Sequence, residues 1–423
     1  MQKKYLSLTR VQRISAMETR NRSDWIDQIV KFIGEYTGNN PGYSPRVVAE
    51  IMSNKFLISV GEAEKLLSYL NKESAMNRLC LTAMELNLTF NCNLACDYCF
   101  VRRKNIHDRM NFATAQRAID LLLEQAVAPN VVITLIGGEP LLEMELIKKI
   151  VPYAIEAART RNLQVTWAIT TNGTLINEDT LKFFAQYKIN MLLSMDGGPE
   201  NHDRHRRTKS GEGTWHHIAS RIPLIKKYQP WLSGRMTVST EALDTMREDF
   251  RRLVDLGFNT LLISPAQGAR PWSKKQIEHY GLNFLAILHD YHQLKQRGVP
   301  IFIEEFETDE RYTGWGCRAG RSSLAVAPNG EISPCSKLLG LDDETGRHIV
   351  GNINQEINVR LLQPFQNPIC QQPEDCKHCF MKCSGYCYAV NFEQTGNHFV
   401  SSEEHCLFWA AKHEIKSIAK TMV

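Results

Sequence analysis

The chain has 423 residues, of which 43% are hydrophobic and 23% charged, and its formal net charge is +4. That length leaves room for two or three domains, the balance is that of a globular protein, and so small a charge gives no bulk electrostatic case for nucleic acid. No run of about eighteen apolar residues is present to span a bilayer, and the opening MQKKYLSLTR lacks the apolar core and cleavage site of a signal peptide. The 12 cysteines are therefore expected in a reducing cytoplasm, where clustered thiols signal metal or redox chemistry rather than disulfides.

Residues 1–80 read as a small helical module. Trp25, Ile26, Ile29, Val30, Phe32 and Ile33 recur near the helical period until Asn39-Asn40-Pro41-Gly42 breaks it. A second helix opens on Pro45 and runs through Val47, Val48 and Ile51. Ser59 with Glu62 forms a capping box ahead of Ala63, Leu66, Leu67 and Leu70. Such a module suits either a structural cap or the docking of a peptide. Cys80, alone at the junction, is expected to be a small buried apolar residue.

From Met84 the pattern becomes strand–helix alternation, the signature of a parallel sheet covered by helices. Strands are predicted at Glu85–Phe90, Val131–Ile136, Gln164–Thr171, Ile189–Met195, Gly234–Thr240 and Thr260–Ser264, with Gly298–Glu304 as a candidate further strand. Helices are predicted over Ala113–Gln125, Leu142–Ala158 and Asp179–Gln186. Six such units give an α/β fold, a partial (β/α)6 TIM-like barrel over residues 81–309. Chemistry in such barrels gathers at the C-terminal ends of the strands.

The first strand runs straight into FNCNLACDYCF, with Cys92, Cys96 and Cys99 spaced Cys-x3-Cys-x2-Cys. Three thiolates so close suit three corners of a cubane iron–sulfur cluster and leave one iron open, whereas structural zinc wants four ligands in two pairs. This loop resembles that of the radical S-adenosylmethionine (SAM) enzymes, in which SAM chelates the open iron. Tyr98 and Phe100 match the family pattern as an apolar wall around the cluster. By the same resemblance Gly137-Gly138-Glu139 corresponds to the GGE motif that binds the SAM amino group. Thr170, Thr171 and Asn172-Gly173 correspond to the TNG segment lining SAM. Ser194 and Asp196 would face the SAM ribose, and Arg206 of the HDxxR segment would pair with the SAM carboxylate. Read without the family, these are Gly-Gly and Asn-Gly turns. Ala168 stands where sulfatase maturases commonly carry a serine, which removes one polar contact to SAM.

Residues 310–423 hold Cys317, Gly330-x4-Cys335, Cys376-x2-Cys379, Cys383, Cys387 and Cys406. The order resembles the cysteine-rich SPASM domain, with a Cys379–Cys383 gap shorter than usual. The resemblance assigns Cys317, Cys335 and Cys387 to one auxiliary cluster and Cys376, Cys379, Cys383 and Cys406 to a second. The first then lacks a fourth ligand: Cys370, a substrate thiolate at an open iron, or a non-cysteine group.

The resemblance implies three [4Fe–4S] clusters, reductive cleavage of SAM to a 5′-deoxyadenosyl radical, a reductant such as flavodoxin or ferredoxin, and a substrate that is a ribosomal precursor peptide modified or crosslinked, often at cysteine. The alternative within the family is anaerobic sulfatase maturation, for which Glu305, with Glu304 beside it, is the candidate base. As bare residues they read as a solvated strand end. The alternative of another class is a zinc-structured nucleic-acid-binding protein, distinguished by iron content.

Overall fold

The computed structural model describes residues 45–56, 59–64, 79–103, 107–267, 271–307, 315–341, 346–355, 357–379, 383–385 and 387–421. The chain divides into two compact units, Met1–Arg78 and Leu79–Val423. In the first, α1 (Pro45–Phe56) opens on its proline as expected. The Ser59–Glu62 capping box forms in both directions: the Glu62 amide donates to Ser59 Oγ at 3.2 Å and the Ser59 amide to Glu62 Oε2 at 2.8 Å. The Trp25–Ile33 stripe and Leu66, Leu67 and Leu70 lie outside the described residues.

The second unit is built on β1 (Ala83–Thr89), β2 (Asn130–Gly137), β3 (Gln164–Thr171), β4 (Asn190–Ser194), β5 (Ser233–Val238) and β6 (Thr260–Pro265). All six pair in parallel, each with its neighbour in sequence. Alternate residues of β1 and β2, Met84, Leu86 and Leu88 with Val131, Ile133 and Leu135, are buried under the covering helices. In α2 (Phe112–Glu124) the buried Ala115, Ala118, Ile119 and Leu122 fall at the i, i+3, i+4, i+7 spacing of one helix face. In α3 (Met144–Arg159) Ile147, Ile150, Val151, Ala154 and Ala158 do the same. Asn111 and Asn177 cap α2 and α4 (Glu178–Tyr187) by accepting from the amides of Thr114 and Thr180.

The other sheet face is different in kind. Register aligns Glu85, Thr134, Ala168 and Asn190 across β1 to β4. A parallel sheet covered by helices on both sides carries aliphatic residues there. The small and polar residues at this register set the face apart from the helix-covered one.

After α5 (Pro199–His205) and β6, α6 (Lys274–Gln296) begins at a Ser273–Gln276 capping box. Gly298–Glu304 does not form the expected strand. Gly298 turns the chain at φ 76°, Pro300 offers no amide to a ladder, and a bridge between Thr260 and Phe302 precedes the short α7 (Glu304–Glu307). Beyond it, β7 (Ser323–Val326) pairs in parallel with β1, and β8 (Glu331–Ser333) and β9 (Gly351–Asn352) continue antiparallel. One nine-stranded sheet therefore runs through both the barrel region and the cysteine-rich region. After α8 (Ser336–Gly340) the chain reaches α9 (Glu403–Thr421). This helix returns to the barrel, where Phe408 packs edge-on against Trp272 and Tyr280 at 5.2 and 5.3 Å between ring centroids. Among the described residues no helix is long and apolar enough to cross a membrane. Cys80 is exposed, contrary to expectation: Leu79 and Leu81 take the inward positions of an extended segment, which turns the residue between them outward.

Candidate active site

The cysteine loop leaves β1 and is held in place by the end of β2. The Gly138 amide donates to the Thr89 carbonyl at 2.8 Å and the Glu139 amide to that of Asn91 at 2.9 Å. A Cβ on Gly137 would lie 2.3 Å from the Thr89 oxygen, and one on Gly138 would lie 2.0 Å from the Asn91 oxygen. The backbone these glycines allow to approach is thus that of the cysteine loop itself. Glu139 is buried, and its carboxylate accepts from Thr171 Oγ1 at 2.7 Å, the Asn172 amide at 2.8 Å and the Leu141 amide at 3.0 Å. Burial, only partly offset by these bonds, raises its pKa to about 7. It ties the β2 and β3 loops together, a role the motif alone did not reveal.

Asn172 then reaches the cysteines: its Nδ2 donates to Asn93 Oδ1 at 3.0 Å and approaches Cys92 Sγ at 3.7 Å. Cys92, Cys96 and Cys99 lie close enough to interact electrostatically, and burial lifts the Cys92 thiol to about 11 and the Cys96 thiol to about 12. Buried thiols at that cost are a donor set that a cation would relieve, and thiolate ligands are those that hold iron–sulfur clusters.

Ser194 ends β4 and is buried, and Thr170 lies partly buried in β3. Asp196 is buried opposite Arg206, which donates through Nε at 2.8 Å and Nη2 at 3.1 Å. The Thr237 amide and the Tyr98 hydroxyl also donate to this carboxylate. Burial opposes ionisation, yet the adjacent guanidinium holds the Asp196 carboxyl below its usual range. Arg206 also lies 5.4 Å from the centre of the Tyr98 ring. The structure thus joins the loop after β4 to the cysteine loop by a Tyr98–Asp196–Arg206 network. Tyr98 is therefore a polar partner as well as a wall. His202 bonds Thr214 Oγ1 at 3.0 Å, and burial lowers its pKa to about 4, so the ring is neutral.

Beside this network a cleft is lined by Asp97, Tyr98, His205, Ser239, Gln267 and Trp272, from the cysteine loop, the end of α5 and the segments that follow β5 and β6. His205 Nδ1 pairs with Asp97 at 2.8 Å, while His205 Nε2 and Ser239 Oγ are buried without a partner among the described residues. Orphaned polar atoms of this kind fit a cleft that takes a polar ligand. Glu305 lies in α7 with one carboxylate oxygen 3.8 Å from Lys412 of α9.

Two further thiol groups form in the C-terminal region. Cys335 interacts electrostatically with Cys317 and Cys387, and its thiol is raised well above the usual value by burial. Cys376 interacts with Cys379, Cys383 and Cys406, and burial lifts it to about 11. Cys370 is exposed on the turn Pro368–Gln371. Among the described residues no three His, Cys, Asp or Glu side chains converge as the ligands of a single ion do. A cubane spreads its thiolates over separate corners and does not require that convergence.

Residues 86–254 match the radical SAM superfamily and residues 317–380 match the SPASM iron–sulfur cluster-binding domain. A cysteine-type anaerobic sulfatase-maturating enzyme from Clostridium perfringens is 31% identical over 326 residues, 70% of this chain and 85% of that one. This chain is a radical SAM/SPASM enzyme. Its fold is shared by a solved sulfatase maturase with bound SAM, anSMEcpe, at a TM-score of 0.67 and 19% identity, over 81% of this chain and 96% of that one. It is also shared by Streptococcus suis SuiB bound to SAM, at a TM-score of 0.56 and 17% identity, over 90% of this chain and 88% of that one. SuiB has also been solved bound to the precursor peptide SuiA, with a TM-score of 0.57, 16% identity and coverage of 82% of this chain and 81% of that one. SAM and iron–sulfur clusters are the cofactors of the radical SAM/SPASM maturase group to which the chain belongs.

Proposed function

We propose that the enzyme matures a ribosomal precursor peptide in the cytoplasm, drawing electrons from a flavodoxin or ferredoxin. Three clusters serve it: one at Cys92, Cys96 and Cys99, one at Cys317, Cys335 and Cys387, and one at Cys376, Cys379, Cys383 and Cys406. When bound, the first cluster and SAM supply one-electron chemistry and a 5′-deoxyadenosyl radical able to take hydrogen from an unactivated C–H bond. The protein's part is placement. Glu139 and Asn172 fix the cysteine loop, and Glu139 would hold the SAM amino group. In the Asp196–Arg206 pair the guanidinium would meet the SAM carboxylate. Ser194, Thr170 and the cleft residues His205 and Ser239 offer the polar contacts, and Tyr98 and Trp272 exclude water.

The observation that carries the peptide reading is the separate N-terminal unit, Met1–Arg78. The unit contributes none of the cysteines or SAM motif residues, which suits recruitment of a leader segment. The test is deletion of residues 1–78, assayed against the precursor encoded by the nearest short cysteine-bearing reading frame. Formation of 5′-deoxyadenosine without substrate should persist, KM for the full-length precursor should rise at least tenfold, and a leaderless core peptide should react equally with both forms. Equal activity on full-length and leaderless peptide in the intact chain would defeat the docking role.

The second reading, formylglycine formation on a sulfatase, is favoured by the identity to the Clostridium perfringens enzyme. Glu305 is then the base, and Glu305→Gln should abolish turnover of a cysteine-containing sulfatase peptide while sparing SAM cleavage. No turnover of that peptide by the intact chain would exclude this reading.

A further inference from the structure

We propose that Glu85 is the fourth protein ligand of the auxiliary cluster held by Cys317, Cys335 and Cys387, an inference that rests on the cluster reading above. Glu85 stands on β1 opposite Ala325 of β7, so the pairing that continues the sheet also delivers it to the cysteine-rich region. Its Oε2 accepts the Ser336 amide at 2.7 Å, one residue from Cys335, which caps α8. Two residues along the same sheet face, Asn87 donates to Ser336 Oγ at 3.0 Å, so the start of α8 is fixed to β1 at two points. Glu85 is near enough to act electrostatically on both Cys317 and Cys335, as Cys387 is.

The second carboxylate oxygen of Glu85 accepts no hydrogen bond among the described residues. Iron accepts carboxylate oxygen as a ligand, so an oxygen held beside the three cysteines supplies the fourth corner that they leave open. The cysteine alternative, Cys370, lies on an exposed turn. Capping α8 alone would need only an acceptor, which a neutral amide side chain supplies equally well.

The experiment uses the full chain with Cys92, Cys96 and Cys99 replaced by Ala, so that iron is confined to the auxiliary positions. The protein is grown with 13C-labelled glutamate, its iron is counted, and it is reduced and examined by pulsed electron paramagnetic resonance. A resolved 13C coupling is expected in this parent. It should be lost in Glu85→Gln, which retains an acceptor for the Ser336 amide, and in Glu85→Cys, which retains a ligand and full iron. It should persist in Cys370→Ala. An iron-loaded parent without 13C coupling, a coupling that survives Glu85→Gln, or loss of iron specifically in Cys370→Ala would overturn the assignment. A parent that binds no iron would instead overturn the cluster reading beneath it.

Discussion

Arg206 and Asp196 form one pair to which we assign both stability and binding. The bidentate contact is almost fully withdrawn from water, with side chains 9% and 2% exposed. Arg206→Ala should therefore cost about 3–5 kcal/mol by leaving a buried carboxylate uncompensated, measured by urea unfolding of the iron-free chain. It should also weaken SAM binding at least tenfold by titration calorimetry; unchanged affinity would remove Arg206 from the SAM site. Glu139 yields a pH signature of opposite sign to a paired carboxylate. Its pKa is raised from 4.5 to about 7 in the folded chain. The folded state thus prefers the protonated form, and stability falls as pH rises from about 4.5 to about 7, by at most about 3 kcal/mol, then levels off. The difference in unfolding free energy between the native chain and Glu139→Gln should trace that fall. A difference flat across this range would show that Glu139 ionises freely.

At the scale of elements, α9 does more than close the chain. It carries Cys406 in its first turn and docks through Phe408 onto Trp272 and Tyr280, so a barrel surface sets the position of a C-terminal thiol. Phe408→Ala should destabilise the chain by about 3–5 kcal/mol. Its iron-to-protein ratio should fall, because the group of Cys376, Cys379, Cys383 and Cys406 loses its support. Full iron retention in a chain so destabilised would separate α9 docking from cluster assembly. The β2 turn acts in the same way on the other side of the site, since only glycine at positions 137 and 138 lets it crowd the cysteine loop.

For the whole molecule, the consequence of one continuous sheet is that the barrel and the cysteine-rich region fold together. Cutting the chain after residue 309 would leave β1 without β7 and expose a paired edge to other chains. The fragment 81–309 should aggregate when expressed alone and be recovered in soluble form on co-expression with residues 310–423, read by size-exclusion chromatography. A soluble monomeric fragment would show that β7 is dispensable. The same continuity carries Glu85, a residue of the first barrel strand, to cysteines more than two hundred positions away.

The sequence by itself determined the order of strands and helices, because apolar alternation and capping residues are local: β3 spans the predicted residues end to end, and Ser59–Glu62 caps as read. It also marked the cysteine loop, because its short spacing reports chemistry directly, while the GGE and TNG turns and the grouping of the C-terminal thiols were legible only through the family resemblance. What only the tertiary structure decided are contacts between positions far apart in the chain. The Tyr98–Asp196 bond, the Glu139 link to Thr171 and Asn172, the docking of Phe408 and the approach of Glu85 to Ser336 have no local signature. The Gly298–Glu304 segment reaches the β6 edge only through the Thr260–Phe302 bridge, because Gly298 turns the chain and Pro300 offers no amide to a ladder. Side-chain identity names the groups available for chemistry, and the register of a parallel sheet decides which of them meet.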